Sequence, residues 1–127
     1  QWLAWTEDTS GRRIHSLRIQ NLKTRRLEVP DIDGVLEDIV WAADSRTLFY
    51  VRQDPVTLQS GAVFRHRLGT PPSRDAKVYD ETDKTLFVGL RGSASRRFVI
   101  IDVYGYDTSE TLVVPAAAPA SAASVPR

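Results

Sequence analysis

The sequence predicts an all-β chain of short antiparallel strands, arranged as about two and a half four-stranded blades of a β-propeller. Three observations lead there. Short apolar runs alternate with polar, Gly- or Pro-containing turns along nearly the whole chain. No stretch carries the i, i+3, i+4, i+7 spacing of an amphipathic helix. The order of apolar strand, polar turn, hydrophobic strand and alternating strand also recurs. It does so at offsets of 45 (Leu3-Ala4-Trp5 onto Leu48-Phe49-Tyr50) and 49 (Phe49 onto Phe98), near the roughly 40–50 residues of one propeller blade.

Taken in order, Trp2–Thr6 is an apolar and aromatic run that predicts a strand closed by the turn Glu7-Asp8-Thr9-Ser10-Gly11, with Gly11 free to take positive φ. Ile14–Leu22 alternates, placing Leu17 and Ile19 on one face and Arg18 and Gln20 on the other. Lys23-Thr24-Arg25 predicts a turn and Arg26–Val29 a short strand ending at Pro30. Leu36–Ala43 and Thr47–Gln53 predict two strands joined by Asp44-Ser45-Arg46; Leu48 to Val51 is β-branched and aromatic, as a buried strand requires. Pro55 ends it. Gly61–Gly69 alternates, with Val63 and His66 on opposite faces, and a loop at Thr70–Ser73 leads to the strand Asp75–Glu81. The last unit comprises Lys84–Gly92, the turn Ser93–Arg96, Arg97–Gly105 and the weaker strand Glu110–Val114. Blade segments are therefore expected at about 1–34, 35–82 and 83–114. Residues 115–127 contain Ala, Pro and Ser with little to bury, and predict an irregular tail.

Composition narrows the chemistry. The 127 residues have the length of one domain and carry 17 Lys+Arg against 16 Asp+Glu, a formal net charge of +1. That balance argues against a nucleic-acid or anionic-membrane partner. The doublets Arg12-Arg13, Arg25-Arg26 and Arg96-Arg97 read as solvated strand ends that discourage edge-to-edge aggregation. With no cysteine there is no disulfide framework, thiolate metal site or Cys nucleophile, which fits a reducing, cytoplasmic setting. No apolar run nears the roughly 18 residues that read as a membrane span. The chain has no methionine and opens on Gln1-Trp2 inside an apolar run, as an internal segment of a longer protein would.

No residue pattern predicts a catalytic, cofactor or metal site. Gly92-Ser93-Ala94-Ser95 sets serines beside a glycine but lacks the second glycine of a G-x-S-x-G nucleophile elbow. His15 and His66 fall on the polar faces of alternating strands among arginines and other polar groups, and predict surface or cross-strand roles. A neighbouring cation there would disfavour the imidazolium. Asp80, Glu81 and Asp83 form the densest acidic cluster but miss the D-x-D-x-D-G spacing of a calcium loop, and read as a solvated turn. No glycine-rich phosphate cradle is present.

Five segments together carry a family resemblance. They are Trp41-Ala42 with Asp44 through Tyr50, Asp54-Pro55, Arg65-His66-Arg67-Leu68-Gly69-Thr70, Val78-Tyr79-Asp80-Glu81 and Val88-Gly89-Leu90. From about Trp2 to Val114 the chain resembles oligopeptidase B, within the prolyl oligopeptidase family of serine peptidases. The resemblance implies a seven-bladed propeller that caps an α/β-hydrolase domain, in an enzyme that cleaves short peptides after Arg or Lys. The family's catalytic Ser, Asp and His lie in the hydrolase domain, so no catalytic residue transfers to this chain. The partners implied are the rest of the propeller, the hydrolase domain and short basic peptides, with no cofactor, nucleic acid or membrane. Arg25 and Arg26 stand where the family usually has a glycine-containing turn. Two and a half blades leave open edges, so self-association is expected in isolation. The alternative is a free-standing β-rich binding module that closes its ring by oligomerisation.

Overall fold

A computed structural model describes residues 2–8, 15–28, 32–42, 46–53, 60–81, 83, 85–116 and 125–126. Among them lie ten strands and no α-helix. Strands β1 (Trp2–Asp8), β2 (His15–Asn21), β3 (Ile32–Trp41), β4 (Thr47–Gln53), β5 (Ser60–Arg67) and β6 (Ala76–Asp80) form one sheet in sequence order. Strands β7 (Phe87–Gly92), β8 (Phe98–Tyr104), β9 (Ser109–Pro115) and β10 (Val125–Pro126) form a second, also as a meander. All pairings are antiparallel. A single 3-10 turn, Pro72–Arg74, sits in the predicted loop before β6, where proline fixes φ and needs no hydrogen-bond donor.

The six-stranded sheet does not lie flat. Ile32 and Asp33 run down along β2, opposite Leu17 and Ser16, whereas Ile39 to Trp41 run up along β4, opposite Tyr50 to Leu48. Val35 touches both partners, His15 and Arg52, and the register breaks between Val35 and Ile39. Gly34, at φ 73, supplies the left-handed backbone just before this break. The sheet therefore folds over at β3, and Leu17 and Ile19 of β2 meet Ile32, Val35, Leu48 and Tyr50 in one buried cluster.

A second cluster joins the two sheets. Phe49, Val51 and Val63 pack against Val88, Leu90, Val99, Ile101, Val103, Leu112 and Val114. Strand β4 thus gives Leu48 and Tyr50 to one cluster and Phe49 and Val51 to the other, with each of the four no more than 1% exposed. An uninterrupted apolar run is what a strand covered on both faces needs, and each side chain contributes roughly 1.5–3 kcal/mol of burial. The expectation that Leu48 to Val51 is a buried packing strand is met.

Strands β3 and β7 lie side by side and run the same way. The Leu90 amide donates to Asp38 Oδ2 at 3.2 Å, and a Cβ on Gly92 would meet Val40 Cγ1 at 3.2 Å. The fold-over at β3 and the meander then place Leu22–Leu27, Ala42, Arg46, Leu68–Asp75 and Ser93–Arg97 at one end of both sheets, the upper rim. The C-terminal ends of β1, β4, β6 and β8 lie at the other end, the lower rim.

Several expectations need correction. Strand β1 runs on through Glu7 and Asp8, which pair with Ser16 and His15, so the turn starts later than predicted. Strand β3 begins at Ile32 rather than Leu36 because pairing with β2 outweighs the weak propensity of Asp33 and Gly34. The strand expected at Arg26–Val29 reduces, among its described residues, to one bridge between Gln20 and Leu27. The offset of 49 is also short. Equivalent turn bonds, Ala42 N to Thr47 O and Ser93 N to Phe98 O, match Thr47 to Phe98, 51 residues apart. In the tail, Ala116 is buried and Val125–Pro126 pairs with Val113 and Leu112 of β9, so those residues are not irregular. The rest of the tail, Gly11 and Asp44-Ser45 lie outside the described residues.

Candidate functional site

The densest polar constellation is buried under the upper rim. His66, near the end of β5, is 1% exposed. Its Nδ1 lies 2.7 Å from Asp75 Oδ1, and its Nε2 lies 3.3 Å from Glu28 Oε2. The Tyr50 hydroxyl of β4 donates to Asp75 Oδ2 at 2.6 Å. Glu28 Oε1 in turn accepts the Gly69 amide at 2.9 Å. Four segments far apart in sequence, at residues 28, 50, 66–69 and 75, are tied by one network. Gly69, at φ 88, allows the chain to turn over His66. Beside the network lies a cavity of about 310 Å³, with Leu17, Ile19 and Ile32 as its apolar wall and Glu28, His66 and Gly69–Pro72 completing it.

The electrostatics follow from this packing. Burial by itself lowers the His66 pKa, but hydrogen bonding and charge from Asp75, then Glu28, outweigh it, and the pKa stands above the usual 6.5. Burial raises the Tyr50 pKa strongly, reinforced by Asp75, so the phenol stays protonated and donates. With a carboxylate on each nitrogen, the imidazole when protonated donates twice, and both nitrogens are engaged within the fold. A histidine so engaged is not free to act as a general base. Its chemistry is cohesion: it fastens Glu28, which follows β2, to the β5–β6 connection.

Of the expected surface or cross-strand role, His66 takes a cross-segment one: it is buried and bonded to carboxylates, which corrects the expected cationic surroundings. The face of β5 opposite Val63 is covered by the 68–75 loop and Glu28, and the imidazole faces carboxylates rather than Arg65 or Arg67. The alternation Phe64, His66 against Val63 looks one-sided only when the strand is assumed to have one covered face. His15, at the start of β2, is half-buried, and its Nδ1 has no hydrogen-bond partner among the described residues.

The remaining sequence candidates are occupied locally. Ser93 Oγ accepts the Phe98 amide at 3.2 Å, Ser95 Oγ accepts the Arg97 amide at 3.3 Å, and the two hydroxyls lie 3.2 Å apart. They hold a hairpin turn together and touch no histidine. Asp80 pairs with Lys77 at 3.3 Å. Glu81 accepts the Tyr79 hydroxyl at 2.7 Å, and Asp83 accepts both the hydroxyl and the amide of Thr85, which lower its pKa. Among the described residues no cluster of three or more His, Asp or Glu is arranged to hold a metal ion, and no helix is long and apolar enough to cross a membrane.

Comparison with known proteins places these features. The chain is 43% identical over 117 residues to dipeptidyl aminopeptidase BI of Pseudoxanthomonas mexicana, a match that covers 92% of this chain and 16% of that protein. In structure it matches oligopeptidase B from Leishmania major with a TM-score of 0.85 at 24% identity, over 93% of this chain and 16% of that one. Oligopeptidase B from Trypanosoma brucei matches with a TM-score of 0.85 at 22% identity, over 98% of this chain and 17% of that one. At these identities the structural matches speak for the fold alone: a partial β-propeller. The chain spans about one sixth of the length of these proteins. Residues 1–125 match the family described as prolyl oligopeptidase, N-terminal beta-propeller domain, so the chain belongs to the prolyl oligopeptidase family, as a segment of its N-terminal propeller.

Proposed function

We propose that the longer polypeptide containing this segment is a serine peptidase that cleaves short peptides after Arg or Lys, and that the segment helps to gate peptide access. In this reading residues of about 1–34, 35–82 and 83–114 are successive blade segments of a seven-bladed propeller capping an α/β-hydrolase domain in a cytoplasmic enzyme. The segment supplies no catalytic group and is inactive by itself. The observation that carries the peptidase reading is the family match over residues 1–125, and support for further neighbouring layers comes from the outer face of the second sheet. Its inner face is built into the core, yet Phe87 and Tyr104 stack on the outer face with ring centroids 5.8 Å apart, 42% and 47% exposed. Phe98, on the same face, is 41% exposed. Between these rings the face is polar, with Arg91 bonded to Asp102 at 2.8 Å and Thr111 to Asp102 at 3.3 Å. A sheet with one packed face and aromatic rings exposed at the ends of the other is suited to receive another layer. The fold-over at Val35–Ile39 and the break between β6 and β7 support boundaries near 35 and 83.

A second reading follows from the name of the Pseudoxanthomonas relative: the polypeptide removes dipeptides from free amino termini. Chromogenic peptides ending in Arg, with free or blocked amino termini, separate the two. Hydrolysis of blocked peptides by the full polypeptide supports the endopeptidase reading; hydrolysis of free dipeptides alone supports the second. Cleavage of neither overturns both, and turnover by the pure 127-residue segment overturns the lid role. The same open aromatic face makes the isolated segment prone to self-association; a defined ring by light scattering favours instead a free-standing module closed by oligomerisation.

A further inference from the structure

The formal net charge of +1 hides a local excess of one sign at the upper rim. Lys23, Arg25 and Arg26 follow β2, Arg74 precedes β6, and Arg96 and Arg97 join β7 to β8, so all six lie on the upper rim. All six are exposed, and none forms an ion pair with a carboxylate among the described residues. The described carboxylates at this end, Glu28 and Asp75, are turned inward onto His66. Asp44 lies outside the described residues. The described residues of the lower rim are mixed but mostly acidic, with Glu7, Asp8, Asp33, Glu81, Asp83 and Asp107 against Arg52, while Arg12, Arg13 and Lys84 lie outside the described residues.

The backbone makes the upper rim more unusual. Four described residues adopt positive φ: Gly34, Gly69, Arg25 (φ 64) and Arg96 (φ 63). The two that are not glycine are both arginines, each the first of a doublet, in different sheets but on the same rim. A left-handed backbone disfavours a residue with a Cβ, and glycine is the default there. The turns do not need the guanidinium groups to close. Asn21 Oδ1 accepts the amides of Lys23 and Thr24, and Ser93 Oγ accepts the amide of Phe98. Backbone strain retained at exposed, charged tips points to a use outside the fold.

We propose that the upper rim is a docking surface for an acidic polypeptide segment, a run of Asp and Glu in extended conformation. Guanidinium groups take carboxylates through paired, charge-assisted hydrogen bonds. Their distribution over three separate connections of the rim suits a chain laid across it better than a single small anion. A carboxylate partner is favoured over nucleic acid because the mostly acidic lower rim and the near-zero net charge oppose a long, highly charged polyanion. This surface belongs to the propeller whether or not the longer polypeptide cleaves peptides.

The test uses the full polypeptide and a fluorescein-labelled 20-residue poly-glutamate, followed by anisotropy at low and physiological salt. Saturable binding is expected, with poly-glutamine silent. The variant pair Arg25→Gly and Arg96→Gly relieves the left-handed strain, so its melting temperature should hold or rise while affinity falls about tenfold, as the loss of two exposed charge contacts implies. No saturable binding at low salt overturns the proposal, as does equal affinity in the double variant. Tighter binding of a DNA duplex of matched charge overturns it in favour of nucleic acid.

Discussion

Removing Asp75 should be among the most destabilising single changes in the upper half of the segment. Its two oxygens accept from Tyr50 Oη at 2.6 Å and from His66 Nδ1 at 2.7 Å, and the side chain is 2% exposed. In Asp75→Ala both donors lose their acceptor. Each orphaned donor costs about 1–3 kcal/mol, the ionised one at the upper end, so a loss of about 3–5 kcal/mol is expected. That is a large share of the roughly 5–15 kcal/mol that holds a domain folded. In urea, with a slope of about 2 kcal/mol/M, the midpoint should fall by about 2 M. Trp41 packs against the same cluster as Tyr50 and provides a fluorescence probe for the transition. Tyr50→Phe should cost only about 1 kcal/mol, since Asp75 keeps its histidine. The double variant should cost less than the sum of the two, because the groups share one bond. A loss below about 1 kcal/mol for Asp75→Ala, or strict additivity in the cycle, would refute the buried network.

Two further outcomes can be measured. Because the folded His66 pKa is raised, its contribution is fully present below the unfolded value of about 6.5 and is lost as pH rises through the folded pKa. An imidazole NMR titration should accordingly place His66 above 6.5, and a midpoint at or below that value contradicts the two-carboxylate clamp. In the second sheet, Ile101 is 0% exposed and packs among Val99, Val103 and Leu112. Ile101→Ala should cost about 2–5 kcal/mol by calorimetry or urea, and a value under 1 kcal/mol would mean that the sheet-to-sheet core is not packed as described.

Much of the fold is legible in the sequence because strands declare themselves locally. The run Thr47–Val51 needs no partner to identify it as a strand buried on both faces, and the alternation of Leu17, Arg18, Ile19 and Gln20 sorts its own two sides. Turn chemistry is equally local at Asn21–Arg25 and Ser93–Phe98, although the sequence does not reveal that Arg25 and Arg96 hold the left-handed positions. The polar network is a different matter. His66 is bracketed in sequence by arginines, and its carboxylate partners lie 9 and 38 residues away. A cue existed in the buried tyrosine of β4, whose hydroxyl must find an acceptor, but the acceptor's identity depends on how the 68–75 loop closes.

Sequence alone determined the all-β character, the approximate strand positions and the absence of a recognisable catalytic motif, since these follow from periodicity and residue type within a few positions. Tertiary structure decided which faces are covered, because coverage depends on elements distant in the chain. It folded β3 over between two neighbours, gave His66 buried carboxylate partners in place of the expected arginines, and shifted the repeat from 49 to 51. It also resolved a near-neutral composition into a basic rim and a mostly acidic one. Charge counts add along a chain regardless of order, whereas the antiparallel pairing and the fold-over at β3 decide which connections share an end.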